Sequence, residues 1–274
     1  MLIDKKSEIR REMNMLEGKY FSKKSDLGKV LRLSVMTAII LGFMVLVPMA
    51  AQAESSNPNP DVLPVNSNSY GMTYGEWSAR WWQWALSIPA PDNPLLDTSG
   101  EKCGMNQSGN VWFLAGNFGG LSERTCTVPA GKAILFPIIN AEWSVVEANS
   151  IDGKCFLPDV ISGTTEEALR ACAKAQIDHV TIKEASVDGV QLQDLDNYRV
   201  ESPLFEFTLP KNNILGLPAG SSPSVSDGYW ILLAPLPVGK HTVHFRGVAV
   251  FPNPKPKKPP FVFETEVTYS LSVR

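Results

Sequence analysis

An apolar run from Lys132 to Ile139 opens onto Asn140, Glu142, Trp143, Glu147, Asn149 and Asp152. Amide and carboxylate groups beside a tryptophan, just past a buried strand, suit a site for a carbohydrate or another neutral polar ligand. In that reading Asn140 and Glu142 supply hydrogen bonds and Trp143 a stacking face, with Trp82 a second face set in the segment Trp81-Trp82-Gln83-Trp84. Arg80 and Gln83 flank Trp82 and would add polar contacts. The carboxylates permit a second chemistry. A secreted hydrolase or lyase would use Glu142 with Glu147 as paired acid and base, and glycoside chemistry needs such groups ~5–9 Å apart. A third reading assigns the same segment to a hydrogen-bonded loop of a structural or surface-assembly protein.

Other constellations are missing. There is no Gly-x-Ser-x-Gly elbow, His-Glu-x-x-His, phosphate loop or dinucleotide fingerprint. His241 and His244 stand three apart on a strand pattern, so they face opposite ways and make poor joint metal ligands. His179 is placed to complement a helix dipole. Asp92, Asn93 and Asp97, and again Asp194, Asp196 and Asn197, carry calcium-type oxygens but match no loop template, and read as turn formers. No metal and no cofactor is implied.

The 274 residues include 25 Lys+Arg, 28 Asp+Glu and three His. Leu33 to Val47 is uninterrupted and apolar, follows Lys23, Lys24, Lys29 and Arg32, and runs into Ala51-Gln52-Ala53. That is the pattern of a cleaved export signal over residues 1–53, short of the ~20 residues of a membrane span. The segment holds nine of the basic and five of the acidic residues, so 16 basic and 23 acidic remain in 221. An acidic mature chain argues against nucleic acid as a partner, and removal of the signal leaves no stable membrane insertion. The expected location is periplasmic or extracellular. All four cysteines follow the signal, as disulfides in an oxidising compartment would. Of three possible connectivities, Cys103–Cys126 with Cys155–Cys172 closes two short local loops.

These groups must be positioned by a scaffold. Residues 54–70 are rich in Pro, Asn and Ser and read as a leader; residues 71–274 read as one domain. Thr73 and Glu76 form a capping box before a helix that Ile88-Pro89 ends. Trp77, Trp81 and Trp84 share one face of it, and Glu76 with Arg80 has the spacing of an ion pair. Thr164 and Glu167 open a second helix near 162–178, with Leu169, Cys172 and Ala173 on one face. Asp188-Gly189 marks a hairpin between Val180–Val187 and Val190–Leu192. Phe205–Leu209, His241–Phe245 and Phe261–Val273 alternate apolar with polar, and a change of parity at Gly247 suggests a bulge. The fold class is mainly β: an antiparallel sandwich, jelly-roll or immunoglobulin-like, with an N-terminal Trp-rich helix and one inserted helix.

Four segments carry a resemblance. They are Tyr74-Gly75-Glu76-Trp77 running into Trp81-Trp82-Gln83-Trp84, Val111 to Gly116, Cys126 to Lys132 running into Phe136-Pro137, and Pro237 to Val243. Together they resemble a family of uncharacterised exported bacterial proteins. The resemblance implies export and a single domain, and transfers no catalytic residue.

Overall fold

A computed structural model describes residues 58–59, 61–150, 155, 157, 160–253 and 258–274. The expected export signal, Asp152 and the centre of the Pro/Lys loop lie outside the described residues. Two five-stranded sheets form the domain. The first runs β1 (Val111–Phe113), β3 (Ala133–Ser144), β8 (Gly220–Leu233) and β6 (Arg199–Glu201), with β7 (Phe205–Leu209) also pairing β8. The second runs β2 (Gly120–Val128), β10 (Phe261–Val273), β9 (Gly239–Phe251), β4 (Val180–Val187) and β5 (Val190–Gln191). The β-sandwich expected from the alternating patterns is present. Most pairings are antiparallel, but β1 joins β3 and β2 joins β10 in parallel, so both sheets are mixed.

Strand parity builds the core. Val267, Tyr269, Leu271 and Val273 of β10 are buried, as are Val243 and Phe245 of β9. Phe136 crosses from the first sheet to stack on Phe245 at 5.1 Å. Gly247 is not a bulge: β9 stays in register with β10 throughout, and residues 243, 245, 247, 249 and 251 all face inward. The inward residues at 247 and 249 are small because β3 comes close there. A Cβ on Gly247 would stand 2.5 Å from Ile139 Cβ. The register shifts lie in neighbouring strands: in β4, where Val180 pairs Ala249 and Ile182 pairs Val248, and in β3, where Pro137 pairs Trp230 and Ile139 pairs Tyr229, leaving Ile138 extra.

Helix α1 (Tyr74–Ser87) begins at the expected capping box. The Thr73 amide and hydroxyl donate to Glu76 Oε2 at 2.8 and 2.9 Å, and the Glu76 amide donates to Thr73 Oγ1 at 3.2 Å. This cap takes the Glu76 carboxylate away from Arg80, which instead donates to Gln83 at 3.3 Å; the expected i,i+4 ion pair gives way to it. Trp77, Trp81 and Trp84 bury their common face. A short α2 (Val145–Ser150) follows β3, and α3 (Glu166–Asp178) packs on β3 and β8. Its cap is Thr165, one residue later than the capping-box spacing suggested, and accepts from the Ala168 amide. At its other end the His179 ring nitrogen Nδ1 lies 2.7 Å from the Ala175 carbonyl, where a cation or donor answers the helix dipole.

Both disulfides join the local pairs: Cys103–Cys126 with Cα atoms 5.9 Å apart and Cys155–Cys172 with 5.6 Å. They fit an oxidising, exported environment. Among the described residues no helix is long and apolar enough to cross a membrane. The Cys155–Cys172 bond ties the segment before α3 to the helix across 17 residues. Replacing both cysteines by serine is expected to cost about 3 kcal/mol, read as a lower urea midpoint with a steeper slope, because the unfolded chain without its cross-link exposes more surface.

Candidate functional site

The sequence-predicted residues do not converge on one pocket. Two features separate, both dependent on β3.

The first is a carboxyl pair. Beyond the bulge Glu142 lies opposite Ser226, and Ser144 opposite Ser224. Ser222, Ser224 and Ser226 alternate along β8 and are all buried. Ser226 Oγ lies 3.4 Å from Ser78 Oγ of α1, so this serine column faces the tryptophan helix. The Ser224 hydroxyl donates to Glu142 Oε1. The Ser144 amide and hydroxyl donate to Glu147 Oε2 at 3.1 and 2.6 Å, capping α2 from within the chain. The Ser222 hydroxyl accepts from the Val146 amide at 3.0 Å. Burial, and then the Glu147 carboxyl beside it, hold Glu142 well above the usual carboxyl range, against the hydrogen bonds from Ser224 and Ser144. The alternation Ser-Pro-Ser-Val-Ser was the available sign of this column, a period of two in hydroxyls rather than in apolar residues.

A raised folded pKa has a direct consequence. The stability linked to Glu142 is fully present below its unfolded pKa and is lost as pH rises through the folded value. Glu142→Gln keeps a neutral group of the same shape. It is expected to be nearly neutral at pH 4 and to stabilise the protein progressively from pH 5 to pH 8 relative to the parent. Urea unfolding of both proteins across that range checks the sign.

The second feature is a cavity of about 70 Å³ beside the β3 bulge. Leu95, Pro137, Ile138, Ile139, Phe118 and Phe263 give it apolar walls, and Asn117, Asn140 and Thr265 polar ones. Its framework is rigid. The Asn117 amide donates to the Gly120 and Glu266 carbonyls and to Ser122 Oγ, while its oxygen accepts from the Gly119 amide and from Thr265 Oγ1. Behind Gly116, the buried Arg124 donates to the Ala115 and Gly116 carbonyls at 2.7 and 3.0 Å and to the Tyr269 hydroxyl at 2.8 Å. By contrast, Asn140 Nδ2 is closed off from solvent and has no hydrogen-bond partner among the described residues. A buried donor without an acceptor costs about 1–3 kcal/mol. Asn117, Phe118, Phe263 and Thr265 had no sequence signal, since they reach the cavity from strands and turns far apart in the chain.

The other candidates are accounted for. Trp143 is buried, and Trp82 is buried with its ring 5.0 Å edge-on to Trp81, so neither offers the open face that stacking needs. The groove beside α1, about 370 Å³, is lined by Glu76, Arg80 and Gln83 with Met72, Pro203 and Phe205; Trp82 turns from it into the helix–sheet contact. His241 and His244 part as expected: His241 Nδ1 lies 2.7 Å from Asp188 Oδ2, and His244 Nε2 lies 3.1 Å from Glu266 Oε1. Asn93 and Asp97 serve turns. Asn93 donates to the Ala85 and Ile88 carbonyls, and Asp97 accepts from the Ser99 and Lys102 amides. Among the described residues no group of three or more His, Cys, Asp or Glu could hold a metal ion.

These features define a disulfide-linked β-sandwich with a small, mostly apolar cavity at the edge of its first sheet. Compared with protein-family models, curated proteins and solved structures, the chain matches none.

Proposed function

We propose that this chain is an exported binding protein of the periplasm or the extracellular space, taking a carbohydrate or another neutral polar ligand through Asn140. The observation that carries the reading is the preformed cavity beside the β3 bulge, where Asn117, Asn140 and Thr265 stand among apolar walls. An uncharged ligand suits it, because the cavity walls hold amides, a hydroxyl and apolar side chains and no ionisable group. The two disulfides and the resemblance of the Trp-rich and Val-Trp-Phe segments support export. A glycan array followed by calorimetry on the mature domain tests the reading. Saturable binding that Asn140→Ala weakens is the expected result; absence of binding across neutral sugars and small amides would sink it.

A second reading rests on the Glu142–Glu147 pair. A buried carboxyl whose pKa is raised by burial and by a second carboxyl beside it is what general acid–base catalysis requires. For a hydrolase or lyase, Glu142→Gln would abolish turnover in an active preparation, whereas a purely structural pair would leave turnover unchanged.

A further inference from the structure

The His241 ring joins two turns at one end of the sandwich. Its Nδ1 lies 2.7 Å from Asp188 Oδ2, in the β4–β5 hairpin turn, and its Nε2 lies 2.8 Å from the Pro237 carbonyl oxygen, in the turn between β8 and β9. Both partners only accept: Asp188 is an ionised carboxylate, and a carbonyl has no hydrogen to give. Two short contacts to two acceptors need a hydrogen on each ring nitrogen, so this geometry belongs to the imidazolium form. A neutral ring carries one hydrogen and would set its bare nitrogen against the lone pairs of one oxygen. The two turns are not held equally. Asp188 Oδ1 also accepts from the Thr242 amide at 2.7 Å, and the Asp188 amide donates to the Thr242 carbonyl at 2.8 Å. Among the described residues, the ring is the only donor to the Pro237 carbonyl. Partial burial opposes charge on His241, but the Asp188 and Pro237 hydrogen bonds and the Asp188 and Asp61 charges outweigh it and raise its pKa. Across the sheet the ring's neighbour is the uncharged Leu271 of β10, and Lys240 points to the opposite face of β9.

We propose that His241 is a pH-operated clasp: its imidazolium form fastens the β8–β9 turn, residues 234–238, to the β4–β5 hairpin, and loss of the proton releases that turn while the hairpin stays folded. The order of release follows from the acceptors. A carboxylate is the stronger one, so the neutral ring keeps its hydrogen on Nδ1 toward Asp188, and the bare Nε2 repels the Pro237 carbonyl. Asp188 keeps its place in any case through Thr242. A raised histidine pKa contributes stability that is fully present below the unfolded value, about 6.5, and is lost as pH rises through the folded one. The clasp is therefore closed on the acid side and opens on the alkaline side. It does not depend on the ligand-binding reading above, and export as proposed there would set it in a compartment whose pH follows the surroundings.

An NMR titration of the unmodified protein tests this, and with three histidines in the chain each ring can be followed separately. The His241 ring is expected to titrate above the ordinary histidine value. The amide signals of Leu236, Val238 and Gly239 are expected to move with the same midpoint, and their order parameters to fall on the alkaline side. Those of Val187 and Val190 are expected to stay high, since the hairpin keeps its ladder. Asp188→Asn removes the charge that favours the imidazolium and is expected to lower the His241 midpoint. The parent protein alone gives the main comparison, so the outcome does not depend on a variant that folds. A His241 midpoint at or below the ordinary value would overturn the clasp. So would a raised midpoint that Leu236, Val238 and Gly239 do not follow, because the turn would then be held by other contacts. Loss of order in the hairpin at the same midpoint would overturn it as well, since the whole end of the sandwich would then be opening.

Discussion

Trp81→Ala is expected to destabilise the domain by about 4–5 kcal/mol. Trp81 is fully buried, and its Nε1 donates to the Leu114 carbonyl at 2.9 Å. Its ring meets Trp82, Trp84 and Trp230 edge-on at 5.0, 5.7 and 5.4 Å, so truncation removes three aromatic contacts along with the buried area. Each such contact contributes about 0.5–1.5 kcal/mol beyond area. The alanine variant also leaves the Leu114 carbonyl without its donor, between β1 and the cavity residues Gly116 and Asn117. Trp81→Phe keeps most of the area and loses the hydrogen bond, and is expected to cost about 2 kcal/mol. Urea unfolding followed by circular dichroism checks both. A cost below about 2 kcal/mol for the alanine variant would show that α1 is not anchored through this side chain.

Gly228→Ala is the second large effect, expected to cost about 3 kcal/mol and to abolish binding at the cavity together. A Cβ at residue 228 would stand 2.7 Å from Asn140 Cβ, 2.8 Å from Asn140 Cα and 2.9 Å from the Ile139 carbonyl oxygen. These are mostly backbone contacts within the β3–β8 pairing, so no flexible side chain can yield. Relief requires β3 to move away from β8 at its bulge, which displaces Asn140 from the cavity wall. Gly116→Ala is the contrast, because its nearest neighbour would be Pro137 Cγ at 3.8 Å, an ordinary contact. Thermal unfolding with ligand titration separates the two. Full binding in a Gly228→Ala protein of unchanged stability would show that the close approach is not what fixes Asn140.

Much of the scaffold was legible because its determinants are local. The Thr73–Glu76 box acts over three residues, the alternation of β10 over two, and each disulfide closes a loop of 23 or 17 residues. Asp188-Gly189 turns the β4–β5 hairpin with both residues at positive φ, and Asp188 then accepts from the Thr242 amide at 2.7 Å. The parity at Gly247 misled because a local pattern cannot tell a bulge from a close approach by another strand. Trp82 misled in the same way, since a helix flank looks open until neighbouring residues cover it.

Sequence by itself determined the alternating strands, the capped tryptophan helix, the cysteine pairs and the acidic balance of residues 54–274. Each depends on chemistry within a few turns or strand steps, or on composition alone. Only the tertiary structure decided that Glu142 is buried within a serine column with its carboxyl held above the usual range, and that Asn140 joins residues from Leu95 to Thr265 around a cavity. Burial and protonation depend on which distant surfaces exclude water, and a cavity exists only where the strands that wall it fail to fill the space between them.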